Sequence, residues 1–406
     1  MKIDPDAAGF DAGRLARIDE HLNRAYIRTE KVAGCQVVVA RHGVVAHWSS
    51  LGNSDRERAQ PVEDDTIWRL YSMTKPITGV ALLTLYEQGR MQLTDPIERF
   101  LPEWRDVRVK ERQDDGTRQL VSPRRPISVR DVMMHMSGIG FGPASVRLDF
   151  ASLGNSNAQV RAGLTLESLS ELLAGEPLRF HPGERWLYSW STDICARLVE
   201  VISGERFDAY LQRTIFDPLG MADTGFSVRE GAADRFAALY GRGADKRLEL
   251  RDDPRRSGYL GHPSFLSGGG GLVGTAGDYL RFCSMLLGGG ELDGVRVLSR
   301  PTVELMCTNH IPDNGELRNV AVAGGYGEVG FDGTGFGLTV AVGLGPVRTG
   351  GVGPAGDYMW GGAASTLFWI DPIEDLVVVF MTQLIPSGTF GFRAQLRSIV
   401  YGAIAD

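Results

Sequence analysis

Lysine is nearly absent: five stand in 406 residues, against 38 arginines. Cysteine is scarce too. Cys35, Cys195, Cys283 and Cys307 are far apart, sit among apolar neighbours and form no CxxC pair, which points to buried free thiols in a reducing compartment. No run of about 20 apolar residues is available to span a membrane. The start, Met1-Lys2-Ile3-Asp4-Pro5-Asp6, lacks the apolar run of a secretory signal, so a cytoplasmic protein is expected. An excess of basic residues is also missing. The net charge is −7, and Arg124-Arg125 and Arg255-Arg256 are short clusters flanked by acids or proline. Neither a nucleic acid nor an anionic membrane is an expected partner. There is no G-x-S-x-G elbow, no H-E-x-x-H, and no glycine loop followed by Lys-Ser/Thr. An α/β-hydrolase triad, a metal and a phosphate loop are therefore unsupported, and neither metal nor cofactor is expected.

What is present is an ordinary globular composition, 43% apolar and 23% charged, long enough for a large core. Residues 11–28 carry Leu15, Ile18, Leu22 and Ala25 at helical spacing. Cys35–Ala40 and Val44–Trp48 around Arg41-His42-Gly43 read as a hairpin. A buried helix is predicted from Ser72, with Pro76 tolerated in its first turn. Further helices are predicted at Leu166–Leu173, Thr192–Ile202, Phe207–Ile215, Ala276–Leu287 and Pro301–Met306. Lys110–Arg125 and Arg242–Arg256 read as polar excursions. Strands return at Leu338–Val342, Tyr358–Ile370 and Leu376–Met381, before a closing helix near Phe390–Tyr401. The expected architecture is α/β (α+β): a mostly antiparallel sheet built from both termini, flanked by helices, with a helical subdomain. Residues 1–70 with 270–406 would form the sheet-bearing part, and 71–269 the mainly helical part.

The lysine scarcity gives Tyr71-Ser72-Met73-Thr74-Lys75-Pro76 its interest. This chain uses arginine for surface cations, and arginine cannot give up its proton, whereas a buried lysine can. Ser72 and Lys75 are one helical turn apart and project from nearly the same face. At a helix start the free N–H groups and positive field favour a developing oxyanion at Ser72 and a neutral amine at Lys75. The plainer reading is an N-cap serine with a snorkelling surface lysine, since S-x-x-K occurs by chance in many chains. In His181-Pro182-Gly183-Glu184-Arg185-Trp186-Leu187-Tyr188-Ser189, alternation places Trp186 and Tyr188 on one face. A phenol beside a cationic lysine lowers its own pKa and shuttles a proton; the alternative is a core aromatic. In Tyr358-Met359-Trp360-Gly361-Gly362-Ala363-Ala364, small residues permit close backbone approach, and the Ala363 N–H is positioned to join that of Ser72 around a carbonyl oxygen. Simple helix packing is the alternative there.

Together these segments resemble the serine β-lactamase and penicillin-binding-protein superfamily, in particular its class C-like esterase branch (family VIII carboxylesterases). The resemblance runs nearly end to end. It includes Pro126-Ile127-Ser128-Val129-Arg130-Asp131-Val132-Met133-Met134-His135-Met136-Ser137-Gly138, Asp217–Met221, Ser267-Gly268-Gly269-Gly270-Gly271-Leu272, and Phe368–Pro372. It implies the β-lactamase/transpeptidase-like fold, with Ser72 as nucleophile, Lys75 as its base partner, and Tyr188 as second base and leaving-group acid. Ser72 and Ala363 would supply the oxyanion hole. Trp360-Gly361-Gly362 stands where β-lactamases carry Lys-Thr-Gly, removing a cation that grips a β-lactam carboxylate. Trp190 replaces the asparagine of Tyr-x-Asn. Trp360, Gly361, Gly362 and Trp190 are thus expected to contact an uncharged acyl group. His135 and His181 are expected to position loops. Pocket walls are expected from loops near 110–125, 140–160 and 240–265. The expectation is a serine carboxylesterase acting on small-molecule esters through an acyl-enzyme. The rivals are an acyltransferase, more remotely a β-lactamase or D-amino-acid peptidase, and, outside enzymes, a silent ligand-binding relative.

Overall fold

The computed structural model describes residues 2–113, 115–142 and 163–406; most of the 140–160 stretch expected to wall the pocket lies outside them. Segments from both ends of the chain meet in an eight-stranded sheet. The early strands are β1 (Gly34–Arg41), β2 (Val44–Asp55) and β3 (Gln60–Pro61). The late ones are β4 (Thr334–Phe336), β5 (Ala341–Leu344), β6 (Ala355–Gly361), β7 (Leu367–Asp371) and β8 (Leu376–Thr382). Their order is β4-β5-β6-β7-β8-β1-β2-β3, and every adjacent pair is antiparallel. The β1–β2 hairpin turns through His42 and Gly43, both at positive φ (55° and 72°), the geometry whose twist matches the flanking strands.

β1 is buried along its whole length, because helices cover both faces of the sheet. On one face Tyr279, in the helix Ala276–Leu287, packs on Phe368, with ring centroids 5.2 Å apart. On the other, Phe392, in the helix Phe392–Tyr401, meets Phe380 at 4.9 Å. Phe368 stands opposite Val379, so Phe368 and Phe380 point to opposite sides. Here α1 is Thr74–Glu87, α2 Val129–Met133, α3 Ser191–Ser203, α4 Ala276–Leu287 and α5 Phe392–Tyr401. In α1 every residue from Thr74 to Leu85 is buried, as an all-round apolar helix requires. Gly79 is needed for space: a Cβ there would overlap the Thr339 hydroxyl, so a larger residue would push α1 off the β4–β5 turn.

Five segments differ from the sequence reading. The predicted strand Tyr358–Ile370 is two strands, β6 and β7, broken at residues 362–366, where Ser365 takes φ 66°. Propensity gave no warning of that reversal, and it leaves Ala363 at a strand tip. Of the predicted strand Leu338–Val342 only Ala341 and Val342 are strand, at the start of β5; residues 337–340 form the turn from β4, with Thr339 at φ 72°. The helix over 11–28 breaks into Ala12–Leu15 and Arg17–Leu22 followed by a wide turn. The two polar excursions are small hairpins, Val109–Arg112 with Arg118–Val121 and Leu239–Arg242 with Leu248–Asp252.

Candidate active site

The chain enters the site through Tyr71, which sits in the left-handed region at φ 45°. That conformation costs a non-glycine residue free energy and is held by packing against Ala363, Ala364, Leu239 and Ile385. A short 3-10 turn, Tyr71–Met73, follows, and α1 proper begins at Thr74 rather than Ser72. Ser72 and Lys75 are both buried, at 8% and 4% exposure, so the surface-lysine reading fails. Lys75 Nζ lies 3.3 Å from Ser72 Oγ and donates to the Gly269 carbonyl at 2.6 Å. It also lies 4.5 Å from the centre of the Tyr188 ring. Tyr188 donates its hydroxyl to Ser72 Oγ at 2.6 Å. Two residues, Lys75 one turn away and Tyr188 116 positions away, thus converge on the Ser72 oxygen.

Tyr188 is held by its neighbours on the extended segment. Trp186 N–H donates to the Val320 carbonyl and Leu187 N–H to the His135 carbonyl, each at 2.9 Å. Trp186 stacks on Tyr188 at 6.1 Å with an interplanar angle of 17°, as strand alternation requires. His135, at φ 58°, accepts the Ser189 N–H at Nδ1 (3.4 Å) and approaches Thr192 Oγ1 through Nε2 (3.3 Å). Burial, reinforced by Lys75, pushes its imidazole well below the ordinary value, so it is a neutral brace. His181 similarly joins Glu111 to the Arg124 N–H. Both geometries are those of loop-positioning residues.

The phenol behaves opposite to the sequence expectation. Tyr188 is held well above the usual tyrosine value, first by burial and next by the negative charge of Glu328. Proximity to Lys75 does not outweigh a desolvated phenolate. Tyr188 therefore stands as a proton donor.

The strand tip adds the remaining groups. Gly362 packs so tightly on the Ser72 turn that a Cβ would come within 3.0 Å of the Leu70 carbonyl and of Thr366 Oγ1. Among the described residues, neither the Ser72 nor the Ala363 N–H has a hydrogen-bond acceptor. Trp360 is fully buried, 5.5 Å from Tyr188 and 5.4 Å from Phe336 between ring centres. Gly361 lies against the Thr366 carbonyl and the Arg393 guanidinium. Trp190 donates its indole N–H to the Phe141 carbonyl (3.1 Å) and meets Phe265 edge-on (6.1 Å).

Two groups of residues escaped the sequence reading. Asp193, on the first turn of α3, accepts Ser267 Oγ–H at 2.6 Å and Gly269 N–H at 3.2 Å. It thereby fixes the carbonyl that Lys75 holds, and a Cβ at Gly269 would come 2.5 Å from Asp193 Oδ2. The Ser267–Gly271 run was visible in the sequence, but its partner was not. Tyr326, Glu328 and Ser387 form a second, half-buried group beside Tyr188, the first two on a glycine-rich stretch with no motif to announce it.

A family model described as Beta-lactamase matches residues 18–399. Esterase EstB of Burkholderia gladioli is 31% identical over 419 residues, 98% of this chain and 98% of that protein. Monacolin J acid methylbutanoyltransferase of Aspergillus terreus is 30% identical over 251 residues, 61% of this chain and 58% of its own. The solved structure of EstCE1, a hydrolase with promiscuous acyltransferase activity, superposes with a TM-score of 0.78 at 27% identity, covering 96% of this chain and 99% of that one.

Proposed function

The chain belongs to the beta-lactamase family, and from that membership we propose a serine carboxylesterase that cleaves small carboxylic esters through an acyl-enzyme on Ser72. The observation that carries the reading is the convergence of Lys75 Nζ and the Tyr188 hydroxyl on Ser72 Oγ. With one N–H held by the Gly269 carbonyl, a neutral Lys75 amine directs its lone pair at the Ser72 proton. Lys75 takes that proton as Ser72 Oγ attacks the ester carbonyl, and the Ser72 and Ala363 N–H groups hold the oxyanion. Tyr188 then gives its proton to the departing alkoxide and is reprotonated from the Lys75 ammonium. Water attacks the acyl-enzyme by the same route, releasing the acid. These steps use side chains, two backbone N–H groups and one water.

Trp360, Gly361, Gly362 and Trp190 shape the acyl side. Trp360 brings an aromatic wall where a cation would suit a carboxylate, which favours an uncharged acyl group. The reading extends to one domain, residues 1–70 with 270–406 carrying the sheet and 71–269 mainly helical, with the site between them. No helix among the described residues is long and apolar enough to cross a membrane. The free thiols Cys35, Cys195, Cys283 and Cys307 support a reducing, cytoplasmic setting.

The test is labelling with a fluorophosphonate followed by peptide mass spectrometry. An adduct on Ser72, with Ser72→Ala lowering nitrophenyl ester turnover at least about 1,000-fold, is expected; an unmodified Ser72 in an inhibited protein defeats the reading. Acyl transfer to an alcohol is the second reading, supported by the methylbutanoyltransferase relative. Product analysis with an acceptor alcohol present separates the two, through new ester at the expense of free acid.

A further inference from the structure

Glu328 has no place in the ester chemistry just described, yet it is set beside it. Its Cβ would lie 3.5 Å from a Cβ on Gly361, at the end of β6. Oε2 accepts the Ser387 hydroxyl at 2.8 Å, and the Ser387 oxygen in turn takes the Tyr326 hydroxyl. The Tyr326 ring stands 5.9 Å from that of Tyr188 at 51°. Oε1 is closed to solvent and, among the described residues, has no hydrogen-bond partner. A half-satisfied buried carboxyl is costly, and a neutral side chain would fill the same space more cheaply.

The charged groups around it are few. Lys75 and Arg393 both act on Glu328 electrostatically, and neither reaches it at ion-pair distance among the described residues. Arg393 is committed to two carbonyls, Phe368 at 2.8 Å and Trp360 at 2.7 Å. Tyr188 and Tyr326 are the titratable hydroxyls facing it. A chain of three polar side chains thus runs from a buried carboxyl to the ring packed on the catalytic phenol.

Resting on the proposed Ser72 reaction, we propose that Glu328 is a positioning residue: through Ser387 and Tyr326 it braces Tyr188, and its charge sets which protons Tyr188 and Lys75 hold during turnover. The signs agree. Ionised Glu328 opposes a phenolate at Tyr188, which keeps that residue a donor. It also stabilises the ammonium formed when Lys75 takes the Ser72 proton. Burial holds the Glu328 carboxyl above its ordinary range.

The experiment is the kcat/KM profile for a nitrophenyl ester, from about pH 5 to about pH 11, for the wild type and Glu328→Gln, which keeps shape and removes charge. Without the negative charge, both the Lys75 ammonium and the Tyr188 phenol release protons more readily. Both limbs of the profile should move to lower pH by about half a unit or more. A merely structural role lowers the rate and leaves the limbs in place, and that result overturns the proposal. Tyr326→Phe cuts the chain but keeps the charge: kcat should fall several-fold, with KM and both limbs unchanged. Full kcat in Tyr326→Phe also overturns the proposal, and this variant decides the matter should Glu328→Gln not fold. Fluorophosphonate labelling in parallel separates the two readings. A wild type labelled on Ser72 with an unshifted Glu328→Gln profile removes only the role of Glu328, whereas an unlabelled Ser72 removes the parent mechanism.

Discussion

Replacing Gly362 by alanine tests the tie between the strand tip and the nucleophile with one methyl group. Gly362 has an ordinary φ, so the objection to a side chain is space alone. The new Cβ would come within 3.0 Å of both the Leu70 carbonyl and Thr366 Oγ1, whereas ordinary contact begins near 3.4 Å. Leu70 belongs to the turn that presents Ser72, and Thr366 begins the return into β7. Neither neighbour is the far end of a flexible chain, so the tip must move by roughly half an ångström to one ångström. That motion carries the Ala363 N–H away from the place where the oxyanion forms. Loss of one such donor costs about 100- to 1,000-fold in kcat, and a 1 Å misplacement can cost about 100-fold. A fall of about 100-fold in kcat with KM within about threefold is therefore expected, because the ground-state ester does not need the hole. Overpacking should also cost about 1–3 kcal/mol, so unfolding is followed by circular dichroism alongside burst kinetics with a nitrophenyl ester. A variant that unfolds cooperatively and retains kcat within about threefold of wild type would show that the strand tip does not hold the oxyanion.

Three further outcomes follow from the geometry. Asp193→Asn replaces two acceptor contacts with a neutral amide, loosening Gly269 and the Lys75 amine behind it; kcat should fall about tenfold with KM steady, and an unchanged kcat would detach Asp193 from Lys75. Tyr188 is held above its ordinary value, so its loss of a proton should not limit kcat below about pH 10; Tyr188→Phe should lower kcat about 100- to 10,000-fold, and an active phenylalanine variant excludes its role as acid. His135 is neutral in the fold, while the unfolded imidazole takes a proton below 6.5. Its contribution is fully present above that pH and is lost as pH falls, at up to about 1.4 kcal/mol per unit. Urea unfolding between about pH 6.5 and about pH 5 should show a shallower loss in His135→Asn than in wild type, and equal slopes would place the acid sensitivity elsewhere.

Much of the architecture was legible because it follows from local pattern. The hairpin of β1 and β2 is written in an apolar run around His-Gly, and α4 and α5 lie within about two residues of their predicted spans. The strand 358–370 misled because its residues are β-formers on both sides of the break; only the demand to approach Ser72 reverses the chain at 362–366. Glycine at 362 carried the clue, but as space against Leu70 rather than as a turn signal. Asp193 and Glu328 were illegible for a different reason. Each is one acid among many, and its meaning comes from Gly269 or Ser387, far away in the chain.

The sequence by itself determined the chemistry on offer. Ser72 and Lys75 are three residues apart at the entry to a helix too apolar to lie on a surface, and helical spacing alone aligns them. Tertiary structure decided how that chemistry is poised. It brought Tyr188 to within 2.6 Å of Ser72, set Gly269 against Lys75, and placed the Glu328 carboxyl where it acts electrostatically with Lys75 and Tyr188. Proton affinities in a dry site depend on which distant charges and carbonyls are folded against it, and no local pattern encodes that.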